Sequence, residues 1–556
     1  MQGVQTPTLA AHQLNPQMTL NGLAALQRTD ASGFPYWVRL SNPAGTIEAS
    51  RPEEVLASLQ KVISARDRGL HAVGWISYEA SPGFDRGLAT HPVPPGEPLL
   101  RFTLYQDLQQ GLPKIPEEHF SLEDLTPLMS SDAFCERVEQ VRGALSRGET
   151  YQVNLTFPWS AQFSGCPRSL FRQLRMAQAA QHQAYLEEED RIIISASPER
   201  LFRLENGHIL CRPMKGTAKP GEEGLLRDSG KDRAENVMIV DMIRNDLGQV
   251  ATPGTVRTPG LFDIESYPSL VQMTSTVTAQ GPSDPLPWLK ALFPCASITG
   301  APKRKTMEWI RALELTPRGV YTGCIGGFYA DGVTEFNVAI RTLQLDRDTG
   351  RARYGTGCGL VWDSIPRKEY EESILKTAIL SHQPEDVQLI ESMRSVPGGP
   401  IRNLTAHLDR LTTSAIELGY EFDLDEIHSR LDETVQHLAL PSRIRLTLSP
   451  SGQLTLSDAP LGEPDAEWTF RVDTKPTPSR HPELRHKTTR RTIYDSARAR
   501  HPDVDETLLM NERGECMEFC IGNLLVDMDG KMLTPPLRSG LLAGTSRKEL
   551  LEQGTT

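Results

Sequence analysis

A chain of 556 residues is too long for one hydrophobic core, and at roughly 150 residues per domain it should divide into about two to four. Its formal charge of −12, from 59 basic against 71 acidic residues spread without blocks, excludes a general nucleic-acid surface but leaves room for an anionic small substrate. With 38% hydrophobic and 23% charged residues and no run approaching about 18 apolar positions, nothing is expected to span a membrane.

The opening run MQGVQTPTLAAHQLNPQM has no basic segment followed by an apolar one, so no secretory leader is expected. Eight cysteines without a CxxC pair suit a reducing, cytoplasmic compartment and argue against zinc. Two proline-rich, acidic runs, PVPPGEP and PKIPEEHFSLEDLTP (113–127), close an N-terminal lobe at about residue 125. A motif-rich part then extends over 126–382. RIIISASPERLFRLENGHILCRPMKGT reads as a hairpin turning at Glu205–Gly207, which would bring Glu199 and Lys215 to one cavity.

KDRAENVMIVDMIRNDLG predicts a helix with Glu235, Met238, Ile239 and Met242 on one face. SITGAPKRKTMEWIRALEL predicts another, started by the Ser and Thr ahead of Pro302, with free N–H groups for an anion. Arg341, in AIRTL, reads as a mid-strand cation that needs an anionic partner. Gly355, Gly357 and Gly359, in YGTGCGLV, could cup a carboxylate in a backbone nest. RKEYEESILKTAIL predicts a helix carrying Glu369, Glu372, Ser373 and Lys376 along one stripe, and a second seam falls near SHQPED (381–386). The alternation is that of an α+β protein.

On residues alone, two readings of the polar positions stay open. Lys215 before Gly216 is equally a turn lysine in water. Glu235 and Glu372, on helices with small or apolar neighbours, would repel each other unless a hard cation such as Mg²⁺ lay between them. The plainer alternative for Glu372 is an exposed ion pair with Lys376 at i, i+4.

The ordered runs YQVNLTF, SPERLF, RPMKGT, AENVMIVDMIRNDLG, FPCASITGAPKRKTMEWI, AIRTL, GTGCGLV and EYEES…K resemble the chorismate-utilising enzymes over roughly residues 15 to 382. That resemblance implies a two-layer α/β/α sandwich of antiparallel sheets around a central cleft, with chorismate as substrate. Lysine at 215 resembles the subgroup that forms aminodeoxychorismate; anthranilate-forming members typically carry alanine there. The resemblance implies a catalytic Lys215 attacking C2 of chorismate as the 4-hydroxyl leaves, and Glu199 as the acid that protonates that hydroxyl. Glu235 and Glu372 are implied as Mg²⁺ ligands, and Thr299, Arg341, Gly357 and Lys376 as substrate contacts. Gln272 and Gly327 depart from the histidine and tyrosine common in relatives, so Gln272 is carried as an altered substrate contact. No tryptophan-holding motif is evident around WVRLSNPAG, and tryptophan inhibition is not expected. With no glutaminase nucleophile elbow in the chain, ammonia is expected from a separate glutamine amidotransferase subunit.

Residues 383 to 556 hold a second set of motifs: LIESMR, HLDRLTTSAIELG, HKTTRRTIYDSARARHPDVDETLLMNERGECMEFCIGNLLV and TPPLRSGLLAGTSRKELL. These resemble the class IV pyridoxal-phosphate enzymes, a smaller α+β domain. By that resemblance Lys487 holds the aldehyde of pyridoxal 5'-phosphate, Glu518 faces its ring nitrogen, Arg410 and Thr545 contact its phosphate, and Tyr494 lies at the cofactor. Relatives continue for several elements past the RKELL-like helix, so the resemblance implies a C-terminally shortened domain. It also leaves room for a homodimer through this half. Together the two resemblances imply chorismate and ammonia to aminodeoxychorismate, then lyase chemistry to 4-aminobenzoate and pyruvate for folate synthesis. The rival readings are anthranilate formation, which Lys215 opposes, and a second half that only docks or dimerises.

Overall fold

The computed structural model describes residues 22–30, 35–113, 115, 118–178, 180–218, 221–266, 271–381, 387–462, 467–479 and 481–554. The opening run, and the SHQPED seam beyond Ser381, lie outside the described residues.

β-Branched and aromatic residues at alternating positions build the first half as two stacked antiparallel layers. One layer runs, in spatial order, Phe120–Pro127, Gln152–Gly165, Arg351–Leu360, Thr342–Asp346, Arg191–Ser197, His182–Glu187, Ala24–Thr29 and Pro35–Ala49. The other runs Leu100–Gln110, His71–Ile76, Cys324–Phe328, Thr334–Val338, Arg200–Glu205, His208–Arg212 and Val271–Gln280. Met214–Ala218 and Arg257–Ser266 both pair with that last strand. The layers are continuous at one edge, where Pro35–Ala49 also pairs with Leu100–Gln110. Strands from either side of the proline-rich runs therefore belong to the same sheets.

Period-two alternation decides which face each side chain serves. Ile193 joins Leu26, Val38 and Leu40 of its own layer and Val73, Trp75 and Ile325 of the other in the apolar filling between the sheets. Its neighbours Ile192 and Ile194 turn to the larger cluster, together with Phe171 and Leu174 of the Pro167–Gln178 helix. Phe102, Phe202, Phe328 and Phe336 pack ring on ring on the second sheet, with centroids 5.2–6.1 Å apart. At about 25 cal/mol per Å² of apolar surface, these aromatic layers are the main favourable contribution to the fold.

The second half is smaller. The antiparallel sheet Leu389–Ser395, Ser442–Leu448 and Leu454–Pro460 packs on the helices Leu404–Leu418 and Leu424–Gln436 around Leu411, Leu431, Ile444 and Leu446. A second sheet, Phe470–Val472, Glu506–Met510 and Cys516–Phe519, holds a core of Leu509 and Met517 with the Thr492–Arg500 helix. Polar contacts stitch the halves together: Leu112 N–H donates to Ile416 O at 3.1 Å, Arg485 Nη1 to Pro35 O, and Lys475 pairs with Glu223 at 3.2 Å. No helix among the described residues is long and apolar enough to cross a membrane.

Candidate active sites

The expected hairpin is present, as Arg200–Glu205 against His208–Arg212 with Asn206 and Gly207 at positive φ in the turn. Past it, the strand Met214–Ala218 carries Lys215, and Gly216 follows at φ +85°. A β-carbon at Gly216 would meet Leu226 and Asp232 at 2.9–3.0 Å, so only glycine lets the Gly230–Gly248 helix begin this close to the lysine.

Lys215 is the common electrostatic neighbour of three carboxylates. Its charge draws on Glu199, Glu235 and Glu372 alike. Glu199 sits in the turn before Arg200–Glu205, 3% exposed, with Oε1 lacking any partner. Burial pushes its carboxyl up to about 7, against opposing pulls from Ser297, Lys215 and the Met214 backbone. It is therefore a carboxyl able to hold and release a proton near neutral pH.

The Gly230–Gly248 helix is capped by Ser229, whose Oγ accepts from Asp232 N–H at 3.2 Å. Its buried face is Asn236, Ile239, Val240, Ile243 and Leu247, so the apolar stripe is rotated from the one expected through Glu235, Met238 and Met242. That rotation leaves Glu235 on the rim at 16% exposure, where burial raises its carboxyl despite Lys215 and Lys231. Ser275 fixes the helix to the sheet, donating through Oγ to Asn236 Oδ1 at 2.5 Å and through N–H to Pro213 O at 3.1 Å.

The helix expected over RKEYEESILKTAIL is two pieces, Pro366–Leu375 and Ala378–Ser381, broken at Lys376 and Thr377. At the break Lys376 Nζ donates to Gly357 O at 2.7 Å and to Glu372 Oε1 at 2.8 Å. Glu372 is 56% exposed, so the i, i+4 ion pair is present as the plainer alternative had it. What burial its carboxyl has raises it, but Lys376, with Lys215 and Lys231, outweighs this and holds it below the usual range.

Arg341 is not mid-strand. It stands at φ 52° just before Thr342–Asp346, and its Nη1 donates to Lys376 O at 3.3 Å, beside the Tyr354 hydroxyl on the same oxygen at 3.1 Å. The glycines of YGTGCGLV do not form a nest either. Arg351–Leu360 is a regular strand paired throughout with Gln152–Gly165, and the glycines serve close approach. A β-carbon at Gly355 would collide with the Tyr321 ring, and one at Gly357 with Leu155 O. One at Gly359 would lie 2.5 Å from Gln152 Nε2 and 3.0 Å from Lys215 Nζ.

Thr299 is fully buried, with its hydroxyl donating to Cys295 O at 2.9 Å, and it does not cap the Lys303–Leu313 helix, which starts at Pro302 without a side-chain cap. Gln272 pairs with Thr217 across the sheet and is buried with Oε1 unpartnered. Gly327 is elsewhere: its neighbours Val73 and Tyr329 belong to the filling between the layers. Sequence reasoning missed Gln152. It lies next to Lys215, is 0% exposed, and both its amide atoms lack partners. Its signal was the YQVNLTF run itself, taken only as one of the motifs that carry the family resemblance. Glu199 Oε1, the Gln152 amide and Gln272 Oε1 are thus buried polar atoms left without partners, the kind of atoms a polar guest could satisfy.

Glu235 and Glu372 supply two hard oxygen donors under the influence of the same lysines, the donor set by which Mg²⁺ is commonly held along with substrate oxygens and water. Among the described residues no three His, Cys, Asp and Glu side chains form a preformed metal cage. The set thus fits a cation bound jointly with a carboxylate substrate.

In the second half, Lys487 lies on a segment that runs beside Leu389–Ser395, with Ile390 N–H donating to Lys487 O at 2.9 Å. Burial lowers its affinity for a proton, reinforced by Arg410. Glu518 is 3% exposed; Tyr494 Oη donates to it at 2.8 Å, Leu542 N–H at 2.9 Å and Asn523 Nδ2 at 3.1 Å. Burial pushes its carboxyl up to about 7. Arg410 makes a fork onto Glu391 at 2.6 and 2.8 Å and reaches Ala543 O at 2.9 Å. His407 links Glu391, at 2.6 Å, to the Thr545 hydroxyl, at 3.3 Å, where the Thr545–Glu552 helix begins. Glu391 and His407 were not anticipated. A half-buried lysine, a buried carboxylate and an arginine beside a helix start suit the aldehyde, ring nitrogen and phosphate of pyridoxal phosphate.

The family model for chorismate binding enzymes matches residues 24–382, and the model for amino-transferase class IV matches residues 388–556. The chain belongs to the chorismate binding enzymes. Among this family's members, aminodeoxychorismate synthase component 1 of Klebsiella aerogenes is 40% identical over 267 residues, covering 46% of this chain and 59% of that protein. Anthranilate synthase component 1 of Aquifex aeolicus is 36% identical over 263 residues, covering 45% and 52%. The matched stretch thus spans little more than half the length of these relatives. The crystal structure of anthranilate synthase component I from Streptococcus pneumoniae superposes with a TM-score of 0.54 at 22% identity, covering 66% of this chain and 94% of that one. That likeness establishes the chorismate-binding fold of the first half.

Proposed function

We propose that the first half aminates chorismate at C4 and the second half converts the product to 4-aminobenzoate and pyruvate. The observation that carries the reading is Lys215: it is half-buried, its charge acts on Glu199, Glu235 and Glu372, and it lies beside the unpartnered Gln152 amide. The 40% identity to an aminodeoxychorismate synthase component supports the choice of product.

In this scheme Lys215 Nζ, once deprotonated, bonds to C2 of chorismate while both ring double bonds shift, C1=C2 to C1=C6 and C5=C6 to C4=C5, and the C4–O bond breaks. Glu199 gives its proton to the departing hydroxyl, which leaves as water. Ammonia then bonds to C4, both double bonds shift back, the C2–N bond to Lys215 breaks, and the leaving lysine amine takes up the proton that the new ammonium releases. Arg341 and Lys376 hold substrate oxygens, while Thr299, Gly357 and Gln272 shape the wall. Mg²⁺, held by Glu235 and Glu372, supplies a positive clamp on a substrate carboxylate. A glutamine amidotransferase partner supplies the ammonia, and the protein works in the cytoplasm.

In the second half, Arg410 and Thr545 anchor the phosphate of pyridoxal phosphate and Glu518 faces its ring nitrogen. Lys487 holds the aldehyde carbon and, when released, carries substrate protons. The cofactor, when bound, supplies the electron sink that makes pyruvate elimination feasible.

The test is chorismate, Mg²⁺ and ammonium with the purified chain, products read by mass spectrometry. 4-Aminobenzoate with pyruvate supports both halves. Aminodeoxychorismate alone restricts the proposal to the first half, and anthranilate overturns it.

A further inference from the structure

Between the two halves lies a half-open cavity of about 170 Å³, lined by His486 and Thr488 on either side of Lys487 but by none of the site residues above. Trp37 and Tyr36 of one sheet, Met176 of the Pro167–Gln178 helix, and Leu418 and Tyr420 of the second half give it aromatic and apolar walls. Its size matches a single ring, since an apolar protein cavity of about 150 Å³ admits benzene.

The charges around it do not balance. Among the described residues, Arg175, Arg485 and Arg490 line the cavity against Glu417 and Glu483, a surplus of one positive charge. Glu417 is taken by Arg485 at 2.8 Å and approached by His486 at 3.5 Å. Glu483 accepts from Ile493 N–H at 3.1 Å and lies in the field of Arg490. Burial beside arginines pushes His481 down to about 4 and His486 down to about 3, so both are neutral near pH 7.

The surplus therefore falls on Arg175. It is 8% exposed, its Nε has no partner, and its Nη2 contacts are Leu418 O at 2.9 Å and Met176 Sδ at 3.8 Å. Burial lowers its pKa to about 10, which leaves it cationic at neutral pH, and among the described residues no carboxylate pairs with it. A buried guanidinium without an anion is costly, and a cavity beside it gives a place for one. Gln183, 2% exposed, lines the same cavity with Oε1 unpaired.

We propose that this cavity is a binding site for a small single-ring aromatic carboxylate, with the ring between the apolar walls and the carboxylate on Arg175. A ligand seated there touches both halves, so its binding tightens their junction.

The test is calorimetric titration of the full chain with benzoate, and with benzamide as its neutral counterpart. Benzoate should bind saturably, and benzamide at least about tenfold more weakly, the loss expected for one charge-assisted contact. Arg175→Gln should weaken benzoate by at least a similar factor. Met176→Trp, which fills the cavity and leaves the guanidinium in place, should abolish binding while chorismate turnover persists. Absence of benzoate binding to the wild-type chain overturns the proposal, as does benzoate binding of unchanged strength in folded Arg175→Gln or Met176→Trp protein.

Discussion

Lys215 Nζ occupies space that a side chain on Gly359 would need: a β-carbon there would stand 3.0 Å from it and 2.5 Å from Gln152 Nε2. Gly359→Ala should therefore displace the amine while leaving the strand paired. Because misplacement of a reacting group by about 1 Å can cost on the order of 100-fold, chorismate amination should fall by about that much. Steady-state rates with ammonium, alongside an unchanged circular dichroism spectrum, check this; a wild-type rate would detach Lys215's position from the chemistry.

Glu199 carries two predictions of opposite benefit. As a proton donor with its carboxyl near 7, it should give the amination rate a limb that falls as pH rises through about 7. Glu199→Gln should lose roughly 10²–10⁴-fold in rate, and with it that limb. Stability should move the other way. The folded carboxyl binds its proton more tightly than the ordinary value of 4.5, so the native state loses stability as pH rises from there through about 7. The variant should melt higher than wild type at pH 8 and no higher at pH 4.

Lys487 should be the point of cofactor attachment. Protein incubated with pyridoxal phosphate should turn yellow, and borohydride should fix the cofactor to the peptide containing Lys487. Lys487→Ala should prevent the fixation without unfolding the half. A colourless wild-type chain after incubation would remove the cofactor from the account.

Arg318 and Glu314 form a buried pair, 2% and 4% exposed, under the first site. Arg318 also donates to Ile298 O at 2.9 Å and Asn154 O at 2.7 Å, and lies over the Tyr78 ring at 4.4 Å. Arg318→Met leaves the buried Glu314 carboxylate without its cation, with only the Thr156 N–H and hydroxyl still donating to it, so unfolding titration should show a loss of about 3–5 kcal/mol. Glu314→Gln with Arg318→Met should recover part of it.

Much of the first site was legible because its groups sit on locally defined pieces. The turn at Asn206–Gly207, the Ser229 cap and Gly216 all follow from short-range chemistry, and these carry Glu199 and Lys215 past one turn and Glu235 on the helix the pattern predicted, though on its rim rather than its buried face. Where the reading failed, pairing between distant segments had decided. The glycines at 355, 357 and 359 gave the same local signal whether they cupped an anion or let Tyr321, Leu155 and Gln152 approach. Arg341 read as a strand residue because the break at positive φ leaves no mark in AIRTL. Gln152, Glu391 and His407 passed unremarked since a polar residue in a strand or helix is ordinarily solvated, and only burial gives it a task.

By itself the sequence determined the alternation of strands and helices, the absence of any long apolar run, the order of motifs and the two-part organisation, because these depend on residue type and near-neighbour spacing. Only the tertiary structure decided that Lys215 lies in the field of three carboxylates, that Tyr494 and Asn523 hold Glu518, and that Arg175 has no carboxylate partner among the described residues at the junction of the halves. Each of those depends on which distant surfaces are brought together and how far water is driven from between them. A charge or amide acquires its proton affinity and its unmet bonds from that desolvation, which no local pattern encodes.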